Sequence, residues 1–400
     1  MTETTTPRSS EATAPPLDDP AFYAGDPDAA LRALREASPV HWYAPADYWA
    51  LTGHAAVQEV SRDPERFCSS KGVLMGDRAR PIGGGDSILY VDPPRHAQYR
   101  KLVNKAFTVR RVALLEPRIR ELTVELLDAV DPSAETDLVE ALAAPLPLLV
   151  IAELLGVPKE DLGKFKRWSD AIAEAATVLT DENMIIAVEL LTYFNEALDA
   201  RMATPTEDLL TGLVQAELEG ETLPRGEQLG FCMSLLVAGN ETTRALISGG
   251  LWELAKHPEQ RAAITADPSL IPTAVEEMLR WVTPILAMAR TATRDTEVTG
   301  CPVKEGQFLV LHYMAANRDA EVFADPQTFD VTRNPNPHVA FGVGEHFCLG
   351  AGLARLEGKV LLEELLARFP DFRFTGEPER PASTLLRQVT SLPIVFAPAQ

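Results

Sequence analysis

The chain has 400 residues, 46% of them aliphatic, aromatic or Cys, with 37 Lys and Arg against 58 Asp and Glu and a formal net charge of −21. That size suits a large buried core, and the acidity argues against non-specific binding to DNA or RNA, which needs a basic surface. No run approaches the roughly 18 consecutive apolar residues that span a bilayer, and four widely spaced cysteines without a C-x-x-C pair support neither a zinc site nor a disulfide framework.

Residues 1–19 begin polar, rich in Thr, Ser and Pro, without the charged start and apolar core of a signal peptide. They read as a mobile tail on a cytoplasmic protein, and residues 20–400 as one domain without internal repeats. Tyr48–Thr52 (YWALT) has the pattern of a short strand, followed by a short helix from His54. A Gly-rich loop covers 69–86, with Gly72, Gly76 and the run Gly83-Gly84-Gly85. After Pro93-Pro94 the pattern turns helical and stays so, with breaks, to about Lys256. In the first of these helices His96 and Arg100 lie four apart, on one face. Arg95, Arg100, Lys101, Lys105, Arg110 and Arg111 stand here with no Asp or Glu between Asp92 and Glu116. Such a run is a solvated helix face or a docking patch. Over 114–130, Leu115, Ile119, Leu122, Leu126 and Leu127 recur at helical spacing.

No proline interrupts the stretch between Pro224 and Pro258. About 30 residues at 1.5 Å each make a rod of roughly 45–50 Å, long enough to act as a spine. Inside it sits Ala238-Gly239-Asn240-Glu241-Thr242-Thr243. Gly weakens a helix interior and Thr hydroxyls bond back to the preceding turn, which predicts a local bulge or kink. Thr273-Ala-Val-Glu276 has the form of a capping box that opens the next helix, and Glu277 and Arg280 then share a face. Arg290 follows in Met288-Ala-Arg290-Thr-Ala-Thr-Arg-Asp295. From Val298 turns and alternation take over, with strand-like runs at Gln307–Tyr313 (QFLVLHY) and Leu392–Phe396 (LPIVF). The fold class is mainly α with a minor β portion.

Cys68, Cys232 and Cys301 have the surroundings of small buried thiols. Cys348 differs. The segment 341–357 reads F-G-V-G-E-H-F-C-L-G-A-G-L-A-R-L-E, a glycine-rich turn that delivers one cysteine to the start of an amphipathic helix. Leu353, Leu356, Val360 and Leu361 form its apolar stripe. The free N–H groups and positive dipole end of a helix start favour a thiolate. Gly342, Gly344 and Gly350 let backbone approach a flat ligand closely. A thiolate in such a loop suits an axial haem ligand.

The string resembles the haem loop of the cytochrome P450 family, F-x-x-G-x-x-x-C-x-G. Glu277-x-x-Arg280, about 70 residues before Cys348, resembles that family's core pair, and Arg333 in Phe329-Asp-Val-Thr-Arg333 fits its meander arginine. A-G-N-E-T-T resembles its acid–alcohol pair. Phrases such as Asn334-Pro-Asn-Pro-His338 and Ser391-Leu-Pro-Ile-Val-Phe396 look like those of actinobacterial members, including mycobacterial sterol side-chain oxidising P450s. The resemblance implies a single prism-shaped domain with the long helix over a buried haem b, and Cys348 as the axial iron ligand. It implies a monooxygenase served by a ferredoxin and its NAD(P)H-dependent reductase, docked on the basic patch. Thr242 is then the hydroxyl that hydrogen-bonds dioxygen and Glu241 the relay of protons from solvent, with Thr243 structural. Phe341, Gly342, Gly350 and Ala238 border the haem, and His96, Arg100, Arg290 and His346 meet its propionates. Glu277, Arg280 and Arg333 fix the core behind it. Pocket walls fall at Val73, Leu74, Met75, Ile88, Leu235, Ile285, Leu286, Ala287, Val389 and Thr390, and along 172–179.

Nearly all these wall positions are apolar, which suits a hydrophobic substrate of sterol, steroid or fatty-acyl type bound to a monomeric enzyme away from any membrane. A hydroxylase that tailors a polyketide or macrolide uses the same scaffold and an equally apolar pocket. A peroxygenase of the same fold typically lacks a pair such as Glu241-Thr242. A haem-thiolate gas sensor carries an appended DNA-binding or signalling module, and none is visible. A haem-free helical binding protein would purify without the red colour of haem.

Overall fold

The computed structural model describes residues 15–78, 87–104, 107–175, 180–206, 208–218 and 220–397. The run Gly83–Gly85, Lys105 and positions 176–179 of the expected pocket wall lie outside them. Helices gather around the long helix Arg225–Lys256, joined by a five-stranded and a three-stranded sheet.

This central helix has 32 residues, about 48 Å at 1.5 Å per residue. It ends at Lys256 because Pro258 disfavours helical backbone in His257 before it. Glycines set how closely its neighbours approach. A Cβ on Gly250 would lie 2.0 Å from Met278 Cε, and one on Gly249 2.9 Å from Val282. The helix Ile271–Val282 seats there because both positions lack side chains. At Gly239 the close neighbour is Ile151 of the helix Pro145–Leu155, 3.0 Å from where a Cβ would stand. Each such glycine costs about 1 kcal/mol of helix propensity, offset by the apolar surface that close packing buries. The helix Ala351–Arg368 packs in turn on Ile271–Val282, with Gly358 against Val275. The segments bearing Glu277 and Cys348 are thereby held to one spine.

The five-stranded sheet is ordered Val40–Tyr43, Tyr48–Leu51, Phe308–His312, Ala287–Ala292, Phe67–Cys68. Phe308–His312 runs parallel to Tyr48–Leu51, with Leu309 opposite Trp49, and antiparallel to Ala287–Ala292, with Leu309 opposite Arg290. Leu309 and Leu311 join one apolar cluster, Phe308 and Val310 another. Both faces are covered, which is why the strand reads as an unbroken apolar run. The strand-like runs at 48–52, 307–313 and 392–396 correspond to strands within one or two residues. Val40–Tyr43 gave no clear alternation, and Phe67–Cys68 is too short to show one.

Three expectations change. No capping box forms at Thr273-Glu276: the helix opens at Ile271, Thr273 donates to Leu270 O at 2.9 Å, and Glu276 bonds Arg355 and His338. Pro272 explains the earlier start, since a first helical turn needs no N–H from it. No bulge forms at Ala238–Thr243, where the central helix stays helical, while the expected bond of a Thr hydroxyl back to the preceding turn is present, from Thr242 to Ala238 O at 2.6 Å. The packed chain begins before residue 20, because Leu17 is fully buried and Asp18 accepts from the Tyr43 hydroxyl at 2.5 Å. No helix among the described residues is long and apolar enough to cross a membrane.

Candidate active site

The loop that carries Cys348 turns twice through left-handed backbone, at Gly342 (φ 67°) and Gly344 (φ 74°). That conformation costs an L-residue roughly 1–2 kcal/mol, and a Cβ on Gly344 would also stand 2.2 Å from Ser61 O. The loop closes where Cys348 N–H donates to Phe341 O at 2.9 Å, and the helix starts at Ala351. Burial pushes the Cys348 thiol up, against the pull of the Gly350 N–H, Arg100 and Arg355. The helix start alone predicted the opposite direction. Desolvation wins because one N–H and two offset cations do not replace the lost water. A coordinated metal reverses the sign, since it deprotonates a thiol outright. Cys232 is fully buried, its thiol pushed up to about 12 by desolvation.

The expected propionate partners come together beside this loop. The His96 and His346 rings lie 4.1 Å apart. His346 Nε2 meets Ser69 Oγ at 3.1 Å, and Asp92 accepts the Ser69 N–H at 2.7 Å. Burial, then Arg290, His96 and Arg100, hold the His346 imidazole down at about 2. Burial also lowers His96, against the pull of Glu345 3.6 Å away. Burial thus favours the neutral form of both imidazoles, whose ring N–H groups can donate. Arg290 is 5% exposed, bonded to Ala289 O at 2.6 Å. Neither it nor the part-buried Arg100 forms an ion pair among the described residues.

Buried guanidinium groups without a carboxylate are costly. Beside them, Cys348 is only part-buried, and a Cβ built on Gly350 would meet no protein atom within 4 Å. At Gly342 the nearest atom would be 3.8 Å away. Cations short of counter-charge, next to a part-buried cysteine and a glycine with open space at its Cβ position, fit a flat dianionic cofactor whose metal takes a thiolate. Haem has that form. Cys348 would hold its iron, Arg100, Arg290, His96 and His346 its propionates, and Phe341, Gly342 and Gly350 would border it.

Between Phe231 and Leu251 the accessible residues of the central helix all fall within 233–242, and Ala238 is the most exposed. Ser234, Ala238 and Thr242, four apart, share that open face. Thr243 is buried. Glu241 is fully buried and does not reach solvent, contrary to the expected relay. Its Oε1 accepts from Asn240 at 3.1 Å and Ser169 at 3.4 Å; its Oε2 accepts from Gln388 and lies 3.5 Å from Arg244. Gln388, 147 residues away, and Ser169 were not legible, since no local pattern links them to Glu241.

Glu277, fully buried, is gripped by Arg280 at 2.7 Å on each oxygen and by Arg333 at 3.2 and 3.3 Å. Asp330 N–H and Asn336 complete its shell at 2.9 and 3.0 Å. Among the expected pocket walls, Leu74, Met75, Ile88, Leu235 and Ile285 keep accessible surface. Val73, Leu286, Ala287 and Val389 do not: each is at most 4% exposed and packed in the core. Thr390 turns outward and donates to Glu379 O at 3.3 Å.

The expected basic patch is thinned. Arg95 is held by Glu227 and Tyr99, and the part-buried Arg100 lends its charge to Cys348. Lys101, Arg110 and Arg111 stay exposed, around Val109 and Leu114 at 89% and 68% exposure. Lys101 also edges a groove of about 550 Å³ lined by Ala97, Arg100, Asn104, Thr108 and Glu345.

A family model for cytochrome P450 matches residues 184–391. The steroid C26-monooxygenase of Mycobacterium tuberculosis is 39% identical, covering 96% of this chain and 97% of its own length. The methyl-branched lipid omega-hydroxylase of the same species is 37% identical, covering 92% and 91%. The crystal structure of HmtN, a post-tailoring hydroxylase involved in himastatin biosynthesis, is 40% identical with a TM-score of 0.80, covering 90% of this chain and 94% of that one.

Proposed function

The chain belongs to the cytochrome P450 family, and from that premise we propose that it hydroxylates an unactivated C–H bond of a long apolar molecule of steroid or lipid type. As a P450 monooxygenase it uses a haem-thiolate cofactor and a redox partner. The observation that carries the reading is the part-buried Cys348 beside uncompensated cations, and the open helix face bearing Thr242 supports it.

Cys348 would hold the haem iron through its sulfur, and the haem would supply dioxygen activation. The reaction consumes dioxygen, two electrons and two protons, places one oxygen atom in the C–H bond and releases the other as water. Arg100 and Arg290 anchor the cofactor by charge, and His96 and His346 by their N–H groups. Thr242 Oγ1 carries a proton now shared with Ala238 O, and rotation about its side chain turns that proton into the open space. Glu241 accepts from Asn240, Ser169 and Gln388 and lies 3.5 Å from Arg244, so as a relay it would first take up a proton and leave one of these partners before passing it on.

The accessible walls Leu74, Met75, Ile88, Leu235 and Ile285 carry no charge. Each CH₂ moved from water into such a pocket gains about 0.8 kcal/mol, so affinity should climb with chain length. Relatives named for steroids and methyl-branched lipids support the same class. A tailoring hydroxylase is the second reading, favoured by the likeness to HmtN.

The test combines spectra with turnover. The reduced CO complex should show the thiolate-type long-wavelength band, lost in Cys348→Ser and kept in the Ser variants of Cys68, Cys232 and Cys301. Sterol ketones and long fatty acids should shift the ferric spin state, and isotopically labelled dioxygen should leave one labelled atom in the product. Thr242→Ala should bind the same ligands but divert electrons to peroxide. A shift with macrolides and none with sterols or fatty acids would move the assignment to tailoring. CO binding without any oxygenated product would favour gas sensing.

A further inference from the structure

We propose that Ser87 and Ser234 form a polar subsite that binds a neutral ketone or hydroxyl on an otherwise apolar substrate, about 12 Å along the central helix from Thr242. The proposal rests on the monooxygenase reading and specifies which substrate end is recognised.

Ser234 stands two helical turns before Thr242 on the same open face, with the exposed Ala238 between them. Ser87 stands at the head of the short turn Ile88–Tyr90, which packs beside the central helix, and its Oγ lies 3.1 Å from Ser234 Oγ. Both residues keep accessible surface. Their flanking residues Ile88 and Leu235 belong to one apolar cluster. The pair is thus a hydrogen-bonding point in an apolar wall, the arrangement by which a mostly apolar pocket orients its ligand.

The bonding is incomplete. Ser234 donates its proton to Gly230 O at 2.7 Å. The hydroxyl proton between the two oxygens therefore belongs to Ser87, which also accepts a long bond from Leu89 N–H at 3.4 Å. A hydroxyl oxygen accepts two hydrogen bonds, so each oxygen keeps a lone pair free. The Ser87 proton can also swing from Ser234 to a ligand carbonyl. Neither hydroxyl is bonded to a charged side chain among the described residues, which favours a neutral oxygen over a carboxylate. An apolar ligand end laid on the pair desolvates both hydroxyls without replacing their water, so the site selects against it. A substrate with its oxygen at this pair and an alkyl end toward Thr242 is held at a fixed reach, and the reach selects the carbon that is oxidised.

Both serines also have local bonds, to Gly230 and Leu89, so a brace that merely ties the 87–91 segment to the helix is the competing role. Two ligands separate them: a steroid 3-ketone with an intact side chain, and the 3-deoxy steroid of the same skeleton. Each is titrated into the ferric holoenzyme as wild type, Ser87→Ala, Ser234→Ala and Ser234→Thr, and turnover products are mapped. For the ketone, either Ala variant should raise Kd roughly ten-fold, about the worth of one buried hydrogen bond, and scatter the position of hydroxylation. The deoxy steroid should bind the Ala variants as well as the wild type or better. Ser234→Thr, which keeps the hydroxyl, should retain ketone affinity. Equal weakening of both ligands identifies a brace and overturns the subsite, as does no change for either. Wild-type enzyme that binds neither ligand overturns the lipid reading and the subsite together, whereas binding that ignores the serines removes the subsite alone.

Discussion

Glu276 ties three segments together through one carboxylate. Arg355 donates to it at 2.6 and 2.9 Å, and His338 Nε2 lies 3.1 Å away. Arg355 also covers the Phe341 ring at 4.6 Å and lends its field to Cys348. Burial pushes the Glu276 carboxyl up, but the bonds from Arg355 and His338 outweigh it and hold the group down at about 2, against an ordinary 4.5. A folded-state value below the unfolded one means stability that is present above about pH 4.5 and lost as pH falls toward 2. Glu276→Gln should therefore unfold at lower urea than the wild type at neutral pH, and the gap should close on acidification through that window. A gap that stays constant with pH would assign the loss to packing instead of charge.

At the scale of the element, two glycines of the cysteine loop serve different ends. Gly344 combines φ 74° with a Cβ position 2.2 Å from the backbone oxygen of Ser61, an atom of the helix His54–Arg62 that cannot move aside. Gly344→Ala should lose at least ~2 kcal/mol in urea unfolding. Gly350 has φ −84° and open space around its Cβ direction. Gly350→Ala should leave the apoprotein's stability within about 0.5 kcal/mol and lower the haem content of the purified protein. Full haem occupancy in Gly350→Ala would mean that the cofactor does not border this residue. Both glycines look alike in the string F-G-V-G-E-H-F-C-L-G, and only the neighbours of their missing side chains tell them apart.

At the scale of the molecule, a chain of net charge −21 gathers exposed Lys101, Arg110 and Arg111 around exposed apolar Val109 and Leu114. The segment Val109–Ala113 packs on the helix that follows Cys348. An apolar centre with a basic rim suits a transient acidic donor of electrons, steered by charge. Lys101→Glu or Arg111→Glu should raise the KM for an acidic ferredoxin several-fold with kcat largely kept. The difference should shrink at high salt, because exposed charges are screened beyond roughly 10 Å at 0.1 M. An unaltered KM at low salt would put the docking face elsewhere.

Local constraints written within a few residues were readable from the sequence. Pro224 and Pro258 bound the spine, the glycines about Cys348 announce a tight turn into a helix, and Glu277 and Arg280 pair because helical spacing puts them on one face. Motif resemblance added Arg333, whose place beside Glu277 depends on a segment 56 residues on. Tertiary structure alone decided the rest. It turned Glu276 from a helix cap into a clamp on Arg355, enclosed Glu241 with Ser169 and Gln388, and buried Val73, Leu286, Ala287 and Val389. It also brought Ser87 to Ser234 and raised the Cys348 thiol that the helix start was expected to lower. Each of these outcomes follows from contacts between distant segments, or from how much water those contacts remove, and neither quantity is carried by the order of residues along a short stretch of chain.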